Sequence, residues 1–320
     1  MLPGQSGDPD TTGARWEPRV RGKTGARNAL DRRLSQRYAI VPMGQPTEAQ
    51  RLEKKLSREM ARAVAGFRML RDGDKVMVAV SGGKDSLVLL HLLLRLARRA
   101  PVRFSVVAVH LDQGQPGHDP APLVQWFQSL GCAYHVEKDD TFSAVRALIP
   151  EGKTPCSLCA RLRRAVLYRV ARELGCTRIA LGHHRDDAIV TLLMNLVYEG
   201  QLKSMPAKLV SDDGENVVIR PLIYCAEADL GQLAERMGLP ILPCGRCGVQ
   251  PDHKRKVMAR WLEELERTCP SVRSSMIAAL ANVRPSHLLD PGLWKKLDLE
   301  VARDDDPEAP VTAPEPSVRP

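Results

Sequence analysis

Aromatic residues are scarce: Phe, Trp and Tyr make up 4% of the 320 residues. Aliphatic side chains must therefore fill most of any core. No apolar run reaches the roughly 18 residues that a membrane-spanning helix needs. The longest candidate, Leu87 to Leu96, is interrupted by His91 and Arg95. The first residues are polar and lack the apolar stretch of a secretory signal. No segment recurs at a fixed period, which excludes a repeat architecture. No cysteine precedes Cys132. These absences exclude a chain that crosses a membrane through helices and predict a cytoplasmic protein.

What is present is positive charge. The net charge is +9 and the isoelectric point about 9.3. Such a balance suits a polyanionic partner such as nucleic acid, although a basic soluble enzyme has the same signature. The hydrophobic fraction of 43% is that of an ordinary soluble protein. The eight cysteines are expected in a reducing compartment, where paired cysteines bind metal or do redox chemistry more often than they form disulfides.

Three regions differ in composition. Residues 1–46, rich in Gly, Pro and Arg without an apolar period, read as a disordered basic arm. Residues 291–320 read as a mostly disordered tail, acidic and proline-rich. Between them, residues 47–290 hold the patterned chain. Thr47 can cap a helix carrying Leu52, Leu56, Met60, Val64 and Phe67 at helical spacing. Strands and helices then alternate. Lys75–Val80 is a short apolar strand buried on both faces, followed by a helix through Leu87, Leu90, Leu93 and Leu94. Phe104–Leu111, Ala133–Glu137 and Arg178–Gly182 read as further strands. Ala121–Leu130, the stretch after Cys156, and Asp186–Tyr198 read as helices. Val217–Ile219 suggests one more strand; Ala226–Met237, Lys254–Glu266 and Val272–Asn282 suggest the last helices. The rhythm predicts an α/β fold, a parallel sheet with helices on both faces.

Between the first strand and its helix lies Ser81-Gly82-Gly83-Lys84-Asp85-Ser86. Two glycines let backbone approach a phosphate closely, the helix N-terminus offers N–H groups, and Ser81 and Ser86 add hydroxyls. The spacing is neither a Walker A loop nor a dinucleotide GxGxxG. It matches SGGxDS, the signature of PP-loop ATP pyrophosphatases, with Lys84 at the variable position in a supporting role. His110-Leu111-Asp112-Gln113-Gly114 follows the second strand, where an open parallel sheet binds ligands; His110 is a candidate for the adenosine. Gly182-His183-His184-Arg185-Asp186-Asp187 ends the RIALG strand. Gly182 joins the nucleotide-binding candidates there. Asp186 and Asp187, adjacent carboxylates suited to hold Mg²⁺ with the ATP phosphates, join Asp85 as catalytic candidates. The plainer reading of Asp186 is a helix N-cap.

Cys156-Ser157-Leu158-Cys159 and Cys244-Gly245-Arg246-Cys247 are both CxxC. The readings are a four-cysteine zinc site, a redox pair and an iron–sulfur cluster; spacing alone puts zinc first. Cys132, Cys176, Cys225 and Cys269 are isolated and read as small apolar residues. Arg161, Arg163, Arg164 and Arg169 follow the first pair. Lys203, Lys208, His253, Lys254, Arg255 and Lys256 add charge that suits a phosphate backbone if it faces one cleft.

Taken in order, SGGKDS, PCSLCARLRR, LGHHRDD and LPCGRCG resemble the tRNA 2-thiocytidine synthetase family (TtcA-type) of the PP-loop superfamily. VHLDQGQPG, SMPAKLVSDDG, VIRPLIYC and VRPSHLLD resemble it too, so the likeness runs from about Thr47 to Asp290. The resemblance implies a HUP-like adenine nucleotide hydrolase fold. It implies an ATP-dependent sulfurtransferase that converts cytidine 32 of the tRNA anticodon loop to 2-thiocytidine, using Mg²⁺ and a [4Fe-4S] cluster. ATP would adenylate the 2-oxygen, and sulfur would then attack C2. Matched by motif, the ligands are Cys156, Cys159 and Cys247, with Cys244 as the alternative in its pair. Arg161, Arg163, Arg164, Lys203, Lys254 and Arg255 become the candidates for tRNA. A cysteine desulfurase is the implied sulfur donor, and a homodimer is one permitted assembly. Two other readings remain: a sibling PP-loop enzyme of the 2-thiouridine or lysidine type, and a non-catalytic tRNA-binding protein with a zinc site.

Overall fold

The computed structural model describes residues 46–149, 156–211, 214–243 and 253–300. The basic arm, and the part of the tail beyond residue 300, lie outside the described residues, as do Cys244 and Cys247. The described chain opens at α1 (Glu48–Gly66), where Gln50 N donates to Thr47 Oγ1 and Thr47 N donates to Gln50 Oε1, the reciprocal cap expected of Thr47.

Next come β1 (Asp74–Ala79), α2 (Lys84–Ala97), β2 (Phe104–Asp112), α3 (Ala121–Leu130), β3 (Ala133–Lys138), α4 (Thr141–Leu148) and α5 (Cys156–Glu173). They are followed by β4 (Arg178–Ala180), α6 (Arg185–Tyr198), β5 (Lys208–Val210), β6 (Val217–Ile219) and α7 (Glu227–Arg236). The described chain closes with α8 (His253–Thr268), α9 (Val272–Ala279), a 3₁₀ turn at Pro285–His287 and α10 (Pro291–Lys296). The tail expected from residue 291 thus begins in a short helix, capped by Asp290, whose carboxylate accepts from Leu293 N.

The sheet order is β3-β2-β1-β4-β6-β5. All neighbours are parallel except β5, which runs antiparallel to β6. Chain order reverses direction across β1 and β4, so a crevice opens between their carboxyl ends. Alternation along β1 covers both faces. Val76, Val78 and Val80 pack with Leu56, Met60, Leu87, Leu90 and Leu230, while Met77 packs with Val166, Val170 and Ile179. A third cluster joins Ile189, Val190 and Leu193 of α6 to Met258, Leu262 and Val272, seating α8 and α9 on α6. Among the described residues, no helix is long and apolar enough to cross a membrane.

Candidate functional site

β1 hands the chain to the phosphate loop under tight control. Val80 N continues the ladder to Val109 O, and then the loop bonds to itself. Ser81 N donates to Ser86 Oγ, Gly83 N to Ser81 Oγ, and Ser86 Oγ to Gly83 O at 2.8 Å. Gly82 sits at φ +85°, a conformation that glycine adopts without a Cβ penalty, and its carbonyl accepts from Leu242 N. Gly83 caps α2 without a side chain, so the first N–H groups of that helix stay available to an anion.

The loop after β4 touches this turn. A Cβ on Gly182 would stand 3.0 Å from Ser86 N and 3.2 Å from the Asp85 carbonyl carbon, both backbone atoms that cannot swing aside. Gly182→Ala is therefore expected to push the phosphate loop out of shape, weakening ATP binding at least tenfold and destabilising the fold by about 1–3 kcal/mol. Equilibrium nucleotide binding and thermal unfolding read both; wild-type values would disprove the close approach.

Across this contact the acidic candidates come together. His184 Nε2 lies 3.9 Å from Asp85 Oδ2 and 3.4 Å from Asp187 Oδ2, so two carboxylates converge on one imidazole nitrogen. Burial pushes the Asp85 carboxyl up, against the pull of His184 and Lys84. Its Oδ1 is buried without a hydrogen-bond partner, as are His183 Nδ1, His184 Nδ1, Arg185 Nε and Arg220 Nε nearby. Such a group of orphaned polar atoms at a sheet's carboxyl edge is what a missing polar ligand would leave. Burial, reinforced by Arg220, keeps His183 neutral, its pKa pushed down to about 4. Lys84 donates to Glu227 at 2.8 Å and to Asp85 at 3.3 Å. Burial works against its charge, but the Glu227 bond and the Asp85 charge outweigh it and raise the pKa.

Two candidates occupy places that the sequence did not indicate. Asp186 is neither the N-cap of α6, which is His184, nor open to a ligand. Its Oδ2 accepts from Glu227 N and its Oδ1 from Arg273 Nη1 at 2.6 Å. The residue before α7 is Ala226, which has no capping side chain, and Asp186 supplies that cap from another helix. His110 is 1% exposed and lies beneath the loop rather than on it. Its Nδ1–H donates to Val80 O, and its Nε2 meets His118 Nε2 at 2.8 Å. A carbonyl only accepts, so His110 carries its proton on Nδ1, and His118 donates from Nε2. Burial lowers the His110 pKa, which suits a neutral His110 ring.

Cys159 reaches the same edge from α5: its Sγ lies 3.7 Å from Gln113 Oε1, just past β2. Cys156 opens the same helix, and its side chain lies outside the described residues. Among the described residues no cluster of three metal-binding side chains forms. Of the basic candidates, Arg161, Arg163 and Arg164 are exposed on α5, and Arg255 pairs with Asp187 Oδ1 at 3.0 Å. Lys254 stands over the Tyr198 ring, and Lys203 lines the same cavity. Arg169 is tied to Glu137, Asp139 and Glu173, and Lys208 to Arg68 O. Sequence reasoning missed Glu227, Arg273, Leu242 and His118. His118 follows the second strand and Leu242 opens LPCGRCG, so these two lay at or beside a motif.

A glycine-rich loop between β1 and its helix, facing a carboxylate-bearing loop across the switch point, defines a PP-loop nucleotide-binding protein. Residues 50–241 match the model of the PP-loop domain. A tRNA-cytidine(32) 2-sulfurtransferase of Sorangium cellulosum (strain So ce56) is 56% identical over 272 residues, covering 84% of this chain and 96% of that one. One from Anaeromyxobacter sp. (strain K) is 54% identical over 254 residues, covering 79% and 87%. The chain belongs to the PP-loop family and, within it, to the family of the tRNA-cytidine(32) 2-sulfurtransferases. Among solved structures, the U34-tRNA thiolase NcsA from Methanococcus maripaludis with its [4Fe-4S] cluster is similar, with 25% identity and a TM-score of 0.60. The match covers 78% of this chain and 81% of that one.

Proposed function

We propose that this chain is a cytoplasmic ATP-dependent sulfurtransferase that converts cytidine 32 of the tRNA anticodon loop to 2-thiocytidine. The observation that carries the reading is the meeting of SGGKDS, GHHRDD and the Cys159 end of α5 at one carboxyl edge, in a chain 56% identical to a tRNA-cytidine(32) 2-sulfurtransferase.

The residues divide the work. Ser81, Gly82, Gly83 and Ser86 cradle the phosphates with backbone N–H and hydroxyl donors, and Lys84 adds charge beside them. Asp85 and Asp187 both approach His184 Nε2, and the orphaned Asp85 Oδ1 suits a hard cation; together they would hold Mg²⁺, which would supply positive charge against the ATP phosphates. Asp186 and His110 position rather than contact: one fixes α6 against α7, the other supports Val80. The cytidine 2-oxygen attacks the α-phosphorus, pyrophosphate leaves, and a poor leaving group becomes AMP. Sulfur then attacks C2, and AMP departs with the former 2-oxygen. Thiolates suit an iron–sulfur cluster, and Cys159 lies within reach of this edge. Cys156, Cys159 and Cys247 would hold it, and the cluster would supply iron chemistry for handling the incoming sulfur. A cysteine desulfurase supplies that sulfur. Exposed Arg161, Arg163 and Arg164 lie on the helix that starts at this edge and suit the anticodon-arm backbone.

Anaerobic purification tests the metal, and nucleoside mass spectrometry of tRNA from a deletion strain tests the base. Wild type is expected to be brown with stoichiometric iron and sulfide. Cys159→Ser and Cys247→Ser should lose the iron, and neither should restore 2-thiocytidine. A colourless protein holding zinc would overturn the cluster, and unchanged 2-thiocytidine in the deletion strain would overturn the substrate.

A further inference from the structure

At the far end of α6 from Asp187 lies a cavity of about 300 Å³, lined by Asn195, Tyr198, Glu199, Gln201, Lys203 and Lys254 among others. This is the lower end of the size range for small-ligand pockets. Its wall is held in place. Asn195 Nδ2 donates to Lys203 O and Gln201 N to Asn195 O, both at 3.0 Å, and Ser204 Oγ donates to Ala188 O at 2.6 Å. These bonds pin the turn after α6 back onto the helix. Tyr198 is 38% exposed, and the Lys254 ammonium lies 4.7 Å from its ring centroid.

A partly exposed aromatic ring with one lysine over it and a second lining the same cavity is chemistry suited to an unpaired nucleotide. Every base has a π-face to stack, and the cations meet its phosphate. Glu199 on the rim repels phosphate, so the backbone must run on the lysine side and leave Glu199 to accept from the base edge. The placement agrees. Tyr198 lies eleven residues after Asp187 on one helix, roughly 16 Å along its axis, a span that a few nucleotides of a strand cover. Adjacent residues at the start of α8 mark both ends: Arg255 reaches Asp187, and Lys254 reaches Tyr198.

We propose that Tyr198, Lys203 and Lys254 form a stacking subsite for an unpaired base of the RNA loop other than the one being modified. The subsite sets which nucleotide reaches Asp85 and Asp187. It rests on the reading of an RNA loop as substrate and adds a defined place for a second nucleotide.

Equilibrium binding of a fluorescently labelled anticodon stem–loop to the full chain, with a blunt duplex of the same stem as control, tests it. Tyr198→Ala is expected to weaken stem–loop binding roughly ten- to a hundredfold, to leave duplex and ATP binding unchanged, and to preserve the sedimentation coefficient. Tyr198→Phe keeps the ring and should bind within about twofold of wild type. Stem–loop affinity unchanged in Tyr198→Ala, or an equal loss on the duplex, would overturn the subsite and leave the RNA reading standing. A change in oligomeric state with Tyr198→Ala would overturn it in favour of an interface between copies of the chain. Failure of wild type to bind the stem–loop would remove the RNA reading and the subsite with it.

Discussion

Replacing Asp85 by Ala is expected to cut AMP and pyrophosphate formation by about 10²–10³ or more while leaving the protein as stable as before, or slightly more stable. The two halves of this expectation have one cause. Asp85 Oδ1 is buried without a partner, and burial raises the pKa of the carboxyl, so the folded protein maintains this group against its solvation preference. A buried acceptor left unmade costs about 1–3 kcal/mol, and deleting the whole group removes that cost. Lys84 keeps Glu227 at 2.8 Å, so the substitution strands no cation. Catalysis moves the other way, because a charge set in advance against developing phosphate charge is worth more than most single contacts. Stability given up at a functional carboxylate and regained on its removal is the usual trade between the two. Radiolabelled ATP turnover and thermal unfolding of the same preparation measure both. A clear loss of stability with normal turnover would make Asp85 a structural residue and exclude it from the nucleotide site.

The sheet strands buried on both faces were legible because their apolar runs are short and bounded by turns. Ala121–Leu130 and Val217–Ile219 fall at the expected bounds, and Lys75–Val80 is displaced by one residue. β5 escaped notice. Its three residues pair with only one neighbour and lie largely at the surface, which leaves neither alternation nor an apolar run to read. α4 was missed, although Asp140 caps it through Ser143 N. In the site, SGGKDS and GHHRDD were legible because the chemistry of each sits in one short segment. Leu242 opens LPCGRCG, but nothing in that segment points to its bond with Gly82 O. Glu227 and Arg273 were not legible, because each contacts the motifs from a different part of the chain. For the same reason Asp186 was read as a catalytic candidate or a cap for its own helix. Its type and place fit both, and only the arrival of α7 and α9 shows where its oxygens go.

That arrangement makes Arg273 the position with the largest expected effect on stability. Its guanidinium lies 2.6 Å from Asp186 Oδ1 and 2.9 Å from Glu266 Oε2, with side-chain exposures of 18% for Arg273 and 8% for Asp186. Arg273→Ala would leave a buried carboxylate with Glu227 N on one oxygen and only the longer 3.4 Å contact from Arg185 Nη2 on the other, and breaking one side of a buried pair costs up to about 3–5 kcal/mol. The loss falls where α8 and α9 seat on α6, so those helices should loosen first, which hydrogen exchange can follow. Lysine at this position should recover little, since the two-pronged reach to Asp186 and Glu266 needs the guanidinium. The pH dependence has a definite sign. Burial favours the neutral acid in Asp186, but the Glu227 N–H, Arg185 and Arg273 outweigh it and hold the folded pKa below the ordinary 3.8. A carboxylate depressed in this way contributes stability above its unfolded pKa and loses it as pH falls through the folded value. In Arg273→Ala the carboxyl should rise instead, so the deficit against wild type, largest near neutrality, should narrow as the medium approaches and passes the carboxylate range. Denaturant titrations at several pH values measure this. Combining Asp186→Asn with Arg273→Ala should cost less than the two changes summed, because the neutral amide needs no cation. Asp186→Asn alone should lower ATP turnover by less than about tenfold, far short of Asp85→Ala. Equal losses at the two positions would return Asp186 to the catalytic set, and a deficit for Arg273→Ala that does not change with pH would mean that the carboxylate is not what the arginine holds.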